Sequence, residues 1–145
     1  MAASLLFCLT AARGDDVCGS AAERAAASGW FELYKSAWEH RDASAATALF
    51  AKDAEYSGDP FDAPLRGEEQ IRRYWDEVAS GQRTVGAVGY QLLSAQASTA
   101  LVRWRAVFVR VAPGQRVELE GIAQYSLNRE GKCTHFFEWW NRKPS

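Results

Sequence analysis

The chain has 145 residues, of which 48% are apolar and 24% are charged, and its formal net charge is −1. This length predicts one domain with one core, which buries roughly two thirds of the surface of the unfolded chain. The composition is typical of a soluble globular protein, and the near-zero charge excludes strong attraction to nucleic acid or to an anionic membrane, so we expect neither as a partner.

Residues 1–19 are predicted to be a disordered N-terminal segment or a poor targeting signal, and residues 20–145 to be the folded domain. The segment contains a short apolar run, Leu5 to Leu9, but it lacks the positive start and the longer apolar stretch of a signal peptide. The run is also too short to cross a membrane. We therefore expect a cytoplasmic protein, or an exported or organellar one if the run is a targeting signal.

Two helices are predicted next. Ser20 and Glu23 have the spacing of a capping box, which predicts the start of an Ala-rich helix. Gly29 weakens that helix by about 1 kcal/mol relative to Ala, so a break is possible there. Asp42 then caps a short second helix that ends near Phe50.

A short strand, Ala54 to Ser57, leads into an acidic loop and a third helix. Pro60 and Pro64 stiffen the loop, because proline fixes its own φ and holds the preceding residue out of helix. The helix runs from Gly67 to about Ser80 and carries one apolar face at helical spacing, made of Ile71, Tyr74, Trp75 and Val78. The pattern therefore holds a carboxylate, Asp59, on a stiff loop beside an aromatic helix face.

After Gly81 the apolar pattern has a period of two and predicts four strands. Their predicted ranges are Thr84 to Gln96, Leu101 to Val111, Val117 to Leu127 and Cys133 to Asn141. Three helices and a strand followed by an antiparallel meander indicate an α+β fold, in which the helices cover one face of a curved sheet.

Alternation along the last strand assigns its side chains to two faces of the sheet. Phe136, Glu138 and Trp140 are predicted to face the helices, so Glu138 is a carboxylate on a mostly aromatic face. The outer face carries an apolar group that is unusually large for a monomer. This group predicts a homodimer through the outer sheet face, and its members are Val107, Val109, Ile122, Phe137 and Trp139.

Cysteine and histidine do not predict a metal site. The three cysteines, Cys8, Cys18 and Cys133, form no CxxC motif, and their odd number argues against a disulfide framework, although a single bridge stays open. His40 and His135 lie far apart and have no ligand spacing around them. We expect no metal and no other cofactor.

Four segments carry a resemblance to a known family: ALFAKDAEYS (48–57), DPFDAPLRGEEQIRRYW (59–75), GIAQYSLNREGK (121–132) and FFEWWNRKP (136–144). Together they resemble the nuclear transport factor 2-like superfamily, especially its SnoaL-like members, from about Trp30 to Pro144. The resemblance implies a cystatin-like α+β roll, in which a cone-shaped, curved antiparallel sheet wraps around three helices, and it implies an apolar pocket inside the cone and a dimer. It leaves the activity open, because the fold hosts isomerases, cyclases, epoxide hydrolases, dehydratases and non-enzymatic modules.

Comparison with the ketosteroid isomerases of that superfamily suggests roles for individual positions. Tyr34 matches their helical tyrosine, and Asp59 matches their base after a shift of one residue. Ala123 stands where those enzymes carry a second acid, so that donor is missing here. Trp140 stands where they carry a tryptophan that lines the pocket.

Each candidate catalytic residue also has a structural interpretation. Asp59 is either a general base, made more basic by burial against aromatic side chains, or an acceptor for backbone N–H groups of its own turn. Tyr34 is either a donor to a bound oxygen or a core tyrosine with its hydroxyl at the rim. Glu138 is either a second acid or the partner of a buried Arg66 or Arg72.

Two functions follow as hypotheses. The first is an enzyme that binds a small apolar molecule, such as a polycyclic or terpenoid one, and transfers a proton through Asp59 in isomerase, cyclase or hydrolase chemistry. The second is a non-catalytic binding or dimerisation module with the same pocket, which the missing acid at Ala123 favours. The residues expected to line the pocket are Trp38, Tyr56, Phe61, Trp75, Trp104, Phe108, Ala123, Tyr125, Phe136 and Trp140.

Overall fold

The structure is a computed structural model and describes residues 17–144, apart from the side chains of residues 84 and 87. It contains three helices, α1 (Ala21–Glu39), α2 (Ala43–Ala48) and α3 (Gly67–Gly81). The strands are β1 (Phe50–Ser57), β2 (Leu65–Arg66), β3 (Gln82–Gln96), β4 (Thr99–Arg110), β5 (Arg116–Leu127) and β6 (Cys133–Arg142). The predicted α+β class is confirmed, while the short strand β2 was not predicted.

The strands form a six-stranded sheet in the order β2-β1-β6-β5-β4-β3, which curls over the helices. Strands β3 to β6 form the predicted antiparallel meander, but β1 pairs with β6 in parallel, so the sheet is mixed rather than antiparallel. A parallel pair needs a long crossover connection. Helix α3 and the four strands between β1 and β6 supply that connection.

Helix α1 begins at the predicted capping box and does not break at Gly29. The hydroxyl of Ser20 accepts a hydrogen bond from the backbone N–H of Glu23 at 3.2 Å, and the Glu23 carboxylate accepts one from the Ser20 N–H at 2.8 Å. Beyond Gly29 the helix buries a row of aromatic side chains, each worth roughly 1.5–3 kcal/mol, which outweighs the glycine penalty of about 1 kcal/mol. The buried aromatic residues are Trp30, Phe31, Tyr34 and Trp38.

The chain joins the fold before Ser20. The backbone N–H of Ala95 on β3 donates to the carbonyl of Cys18 at 2.9 Å, and Cys18 forms a parallel bridge with Ser94. Cys18 is therefore held by backbone contacts to an edge strand. The division into an N-terminal segment, 1–19, and a domain stays a prediction, and residues 1–16 lie outside the described residues.

Within the described ranges, none of the helices combines the length and the apolar character that a bilayer crossing requires. Across the same ranges, no three His, Cys, Asp or Glu side chains come together in a way that could hold a metal ion. Cys133 is buried and forms no disulfide with another described residue, and its thiol contacts the carbonyl of His135 at 3.3 Å.

An aromatic cluster fills much of the space between α1 and the sheet. Trp30 stacks on Tyr125 with ring centroids 4.6 Å apart, and Phe136 stacks on both Tyr34 and Tyr56 at 5.2 and 4.9 Å. Each such pair contributes about 0.5–1.5 kcal/mol beyond the area it buries. The cluster fixes the position of α1 and leaves a cavity on one side of it.

Candidate functional site

The candidate site is a cavity of about 150 Å³ between α1, α3 and the inner face of the sheet. The positions that line it follow from alternation on β1, β4 and β6 and from helical spacing on α1 and α3. The lining residues are Tyr34, Trp38, Tyr56, Tyr74, Trp75, Val78, Gln82, Trp104, Phe108, Arg110, Leu119, Glu138 and Trp140.

Glu138 is the buried carboxyl of this cavity, with 6% of its surface exposed. Its Oε1 accepts a hydrogen bond from the Tyr56 hydroxyl at 2.9 Å. Burial raises the pKa of Glu138 to about 8, because a charged carboxylate loses its hydration there, and the Tyr56 hydrogen bond offsets part of that rise. Near neutral pH the group can therefore both take up and release a proton.

The predicted ion pair between Glu138 and a buried arginine is wrong. Arg66 lies on the surface and pairs with Glu55, and Arg72 pairs with Asp76 at 3.1 Å one helical turn away. Both arginines project into solvent, where their charge stays hydrated. Among the described residues, the Glu138 carboxyl therefore has the Tyr56 hydroxyl as its partner and not a cation.

Three tyrosine hydroxyls form a cluster at the Glu138 carboxyl, and that of Tyr56 contacts it directly. The Tyr56 hydroxyl lies 3.3 Å from the Tyr34 hydroxyl and 3.5 Å from that of Tyr74. Burial raises the pKa of all three phenols, with the nearby Glu138 charge adding to the effect, so they remain protonated donors. Tyr74 was not among the predicted site residues, although its place on the apolar face of α3 was the signal that could have identified it.

Four tryptophans line the cavity, and two of them have satisfied N–H groups. Trp38 Nε1 donates to Gln82 Oε1 at 2.8 Å, and Trp140 Nε1 donates to the carbonyl of Gly58 at 3.1 Å. The N–H groups of Trp75 and Trp104 are buried and have no hydrogen-bond partner within residues 17–144. An unpaired buried donor of this kind is uncommon in a folded protein.

Asp59 and Phe61 do not enter the cavity. Asp59 is exposed, and its Oδ1 accepts from the backbone N–H of Phe61 at 2.8 Å, which is the structural alternative for this residue. Phe61 is 95% exposed. The predicted burial of Asp59 against Phe61, Trp75 and Trp140 is therefore wrong, because the carboxylate finds its partner in its own turn. Its role as a base stays a prediction.

Three other residues expected to line the pocket belong to the solid core instead. Tyr125 and Phe136 stack in the aromatic cluster, and the Tyr125 hydroxyl donates to the carbonyl of Ala27 at 2.8 Å. Ala123 is fully buried and lies directly opposite Glu138 in the β5–β6 register. Glu138 therefore supplies a carboxyl on β6, directly beside position 123 of β5, where the ketosteroid isomerases carry their second acid.

The remaining expected residues, apart from Asp59 and Phe61, do line the cavity: Tyr34, Trp38, Tyr56, Trp75, Trp104, Phe108, Glu138 and Trp140. Sequence reasoning missed Tyr74, Val78, Gln82, Arg110 and Leu119. Gln82 and Arg110 lie at strand ends, where alternation gives little information about which side chains meet a neighbouring helix.

A larger groove of about 340 Å³ lies beside the start of α1. Its lining consists mainly of alanines and turn residues, and its carboxylate, Glu23, is held by the backbone N–H groups of Ser20 and Ala97 at 2.8 and 2.9 Å. This groove therefore lacks a carboxyl that is free to react, and the smaller cavity is the better candidate site.

Comparisons with known proteins agree with this fold. A sequence model described as the SnoaL-like domain matches residues 30–136. Among solved structures, the chain resembles a candidate isomerase from Bacillus subtilis, with a TM-score of 0.73 and 14% identity over 82% of this chain and 88% of that one.

It also resembles SalBIII, an epoxide hydrolase/cyclase-like enzyme in pyran ring formation in the polyether salinomycin. Here the TM-score is 0.66, with 17% identity over 83% of this chain and 91% of that one. No curated protein matches the chain significantly. At these identities the two solved structures establish the fold alone.

Proposed function

The chain belongs to the SnoaL-like domain family, and we propose that it catalyses proton transfer on a small apolar ligand, with Glu138 as the residue that takes up and returns the proton. The observation that supports this proposal is the Glu138 carboxyl, which is buried on the wall of an apolar cavity and has no cationic partner among the described residues. Its pKa is raised to about 8. A catalytic acid or base works best when its pKa lies near the working pH.

The proposed reaction needs no cofactor. The Glu138 carboxylate takes a proton from a carbon of the ligand, and the resulting carboxyl returns it to another carbon, which amounts to an isomerisation. The Tyr56 hydroxyl stabilises the carboxylate before it takes the proton, and the neighbouring Tyr34 and Tyr74 hydroxyls are donors available to the negative charge that then forms on the ligand. Glu138 thereby takes the role that we had predicted for Asp59.

Cavity volume limits the part of the ligand that can be enclosed. A cavity of about 150 Å³ is known to hold a benzene-sized molecule, whereas pockets for drug-sized ligands have about 300–1,000 Å³. A one-ring compound therefore fits, and a polycyclic or terpenoid ligand would have to extend past Trp140, which is 43% exposed.

The alternative is a non-catalytic binding or dimerisation module. Four tryptophans leave only this small volume, and position 123 carries no acid, so a ligand could be held without being converted. In either case we propose a homodimer through the outer face of the sheet, where Trp139 is 48% exposed and packs on Phe137 with ring centroids 4.2 Å apart.

Deuterium incorporation tests the proposed activity without requiring the natural substrate. One-ring compounds with acidic C–H bonds are incubated with the protein in D₂O, and exchange is followed by proton NMR. We expect exchange with the wild type and with Asp59→Asn, and loss of at least about 100-fold with Glu138→Gln, a typical effect of removing a catalytic acid or base.

Each other outcome has a definite meaning. Loss of exchange in Asp59→Asn alone would return the role of base to Asp59. Binding of the compounds without exchange in any of the proteins would support the binding module instead.

A further inference from the structure

Trp75 and Trp104 place two buried donors without acceptors on the wall of the cavity. Their side chains are 2% and 3% exposed, and neither N–H has a partner in the described part of the chain. An indole nitrogen can donate a hydrogen bond but cannot accept one. A molecule that forms hydrogen bonds with these two N–H groups must therefore offer acceptor atoms.

The other two tryptophans of the cavity show that the fold supplies acceptors from its own groups elsewhere. Trp38 donates to Gln82, and Trp140 donates to Gly58. The ring of Trp38 lies 6.3 Å from that of Trp75 and 5.6 Å from that of Trp104, so the two unpaired tryptophans contact the same neighbour. The two unpaired tryptophans thus lie on the same part of the cavity wall.

Charge on the cavity wall restricts the kind of acceptor. An anion would satisfy the indole donors but would oppose the ionised form of Glu138, which the proposed proton uptake requires, and Arg110 at the cavity is exposed, so its charge stays hydrated. A cation would suit that carboxyl and the aromatic walls but would leave both donors unpaired. A neutral molecule with an acceptor oxygen satisfies the donors without a charge conflict.

We propose that Trp75 and Trp104 are ligand-binding donors, and that the ligand is a neutral one-ring compound whose oxygen accepts from their N–H groups. The inference rests on the proposed function, since it names the ligand chemistry of the same cavity. It assigns to these two tryptophans a polar role beyond lining an apolar wall. Glu138 is then left free to exchange a proton with a carbon of the bound ring.

Two probes of nearly the same shape test the role of the oxygen. Cyclohexanone and methylenecyclohexane differ in the replacement of C=O by C=CH₂, and their affinities are measured by NMR titration of the indole N–H signals. A purely apolar cavity would prefer the hydrocarbon, because water holds the ketone more strongly. We expect the wild type to bind the ketone at least as tightly, with downfield shifts of the Trp75 and Trp104 N–H signals.

Tryptophan-to-phenylalanine variants assign the donors. In Trp75→Phe or Trp104→Phe the ratio of ketone affinity to hydrocarbon affinity should fall about tenfold, the effect of one lost hydrogen bond. Trp30→Phe is the matched control, because the Trp30 N–H donates to the carbonyl of Leu49 at 3.1 Å and Trp30 does not line the cavity. In that variant the ratio should stay within about twofold of the wild type.

The outcomes separate this inference from the proposed function. Tighter binding of the hydrocarbon, with a ratio that neither variant changes, overturns the donor assignment but leaves proton exchange through Glu138 intact. Failure of both probes to bind overturns both. A fall of the ratio in either Trp75→Phe or Trp104→Phe supports the inference. If these variants do not fold, the wild-type preference and the shifts of the two indole signals decide.

Discussion

The hydroxyl of Tyr56 donates a hydrogen bond to Oε1 of Glu138 at 2.9 Å, although the two residues lie 82 positions apart in the chain. The contact is made because β1 and β6 pair in parallel, with Tyr56 opposite Phe136. A long-range pairing of two strands thus decides how easily the buried carboxyl ionises.

Tyr56→Phe should raise the pKa of Glu138 above about 8, because the hydrogen bond that favours the charged carboxylate is removed. The variant should also lose about 1–3 kcal/mol of stability. A carboxyl titration by carbon-13 NMR measures the first effect, and denaturant unfolding measures the second.

Tyr125→Phe is the control for that variant, since the Tyr125 hydroxyl donates to the carbonyl of Ala27 at 2.8 Å and does not touch Glu138. It should cost similar stability and leave the Glu138 titration unchanged. An equal shift in both variants would mean that general loosening of the core, rather than this hydrogen bond, controls the carboxyl.

Glu138→Gln should flatten the pH dependence of stability. The pKa of Glu138 is about 8 in the folded protein and near 4.5 as a reference for the unfolded chain, so between these values the folded state keeps a proton that the unfolded state has lost. The stabilisation that comes from this retained proton is complete below a pH of about 4.5. It declines by at most about 1.4 kcal/mol per pH unit as the pH rises, and it is lost above a pH of about 8.

Glu138→Gln has no proton to lose at this position. The free energy of unfolding of the wild type should therefore fall relative to that of the variant as the pH rises. Free energies of unfolding measured for both proteins from about pH 4 to about pH 9 give that difference, because this range includes both pKa values. Parallel curves for the two proteins would show that Glu138 ionises normally in the fold.

Gly121→Ala should destabilise the protein by roughly 1–3 kcal/mol or more, because the new methyl group overpacks the sheet. A Cβ at this position would lie 2.2 Å from the carbonyl oxygen of Trp139 and 2.8 Å from Trp140 Cβ. The glycine thus permits the close approach of β6 that brings Trp140 to the cavity.

Gly29→Ala provides the contrast, since a Cβ there would meet no atom within 4 Å and the residue lies inside helix α1. It should stabilise the protein by about 1 kcal/mol. Thermal unfolding of both variants checks the pair, and a stable Gly121→Ala would show that β6 can shift without cost.

Trp139→Glu should convert the proposed dimer to a monomer, because a charge would be buried without a partner in the sheet-to-sheet contact. Leu33→Glu is the control, since Leu33 is 59% exposed but lies on α1, away from the outer sheet face. Sedimentation velocity measures both. A wild type that sediments as a monomer at high concentration would contradict the proposed dimer.

The sequence by itself determined the three helices, the four strands of the meander and the faces of those strands, but not the short strand β2. Capping at Ser20 and Asp42, the helical spacing after Gly67 and the period of two in β4 to β6 depend on neighbours within a few residues, and such local signals can be read from the chain. The same alternation placed Glu138 on the inner face. Together with the matching segments, it was enough to predict the α+β class and the SnoaL-like family.

Only the tertiary structure decided which carboxyl meets the cavity. Asp59 and Glu138 both looked suitable, but whether a side chain is buried depends on contacts between residues distant in sequence. Asp59 is satisfied by its own turn, whereas Glu138 is enclosed by tyrosines from β1, α1 and α3. The parallel register of β1 with β6 brings these groups together, and no local pattern specifies that register.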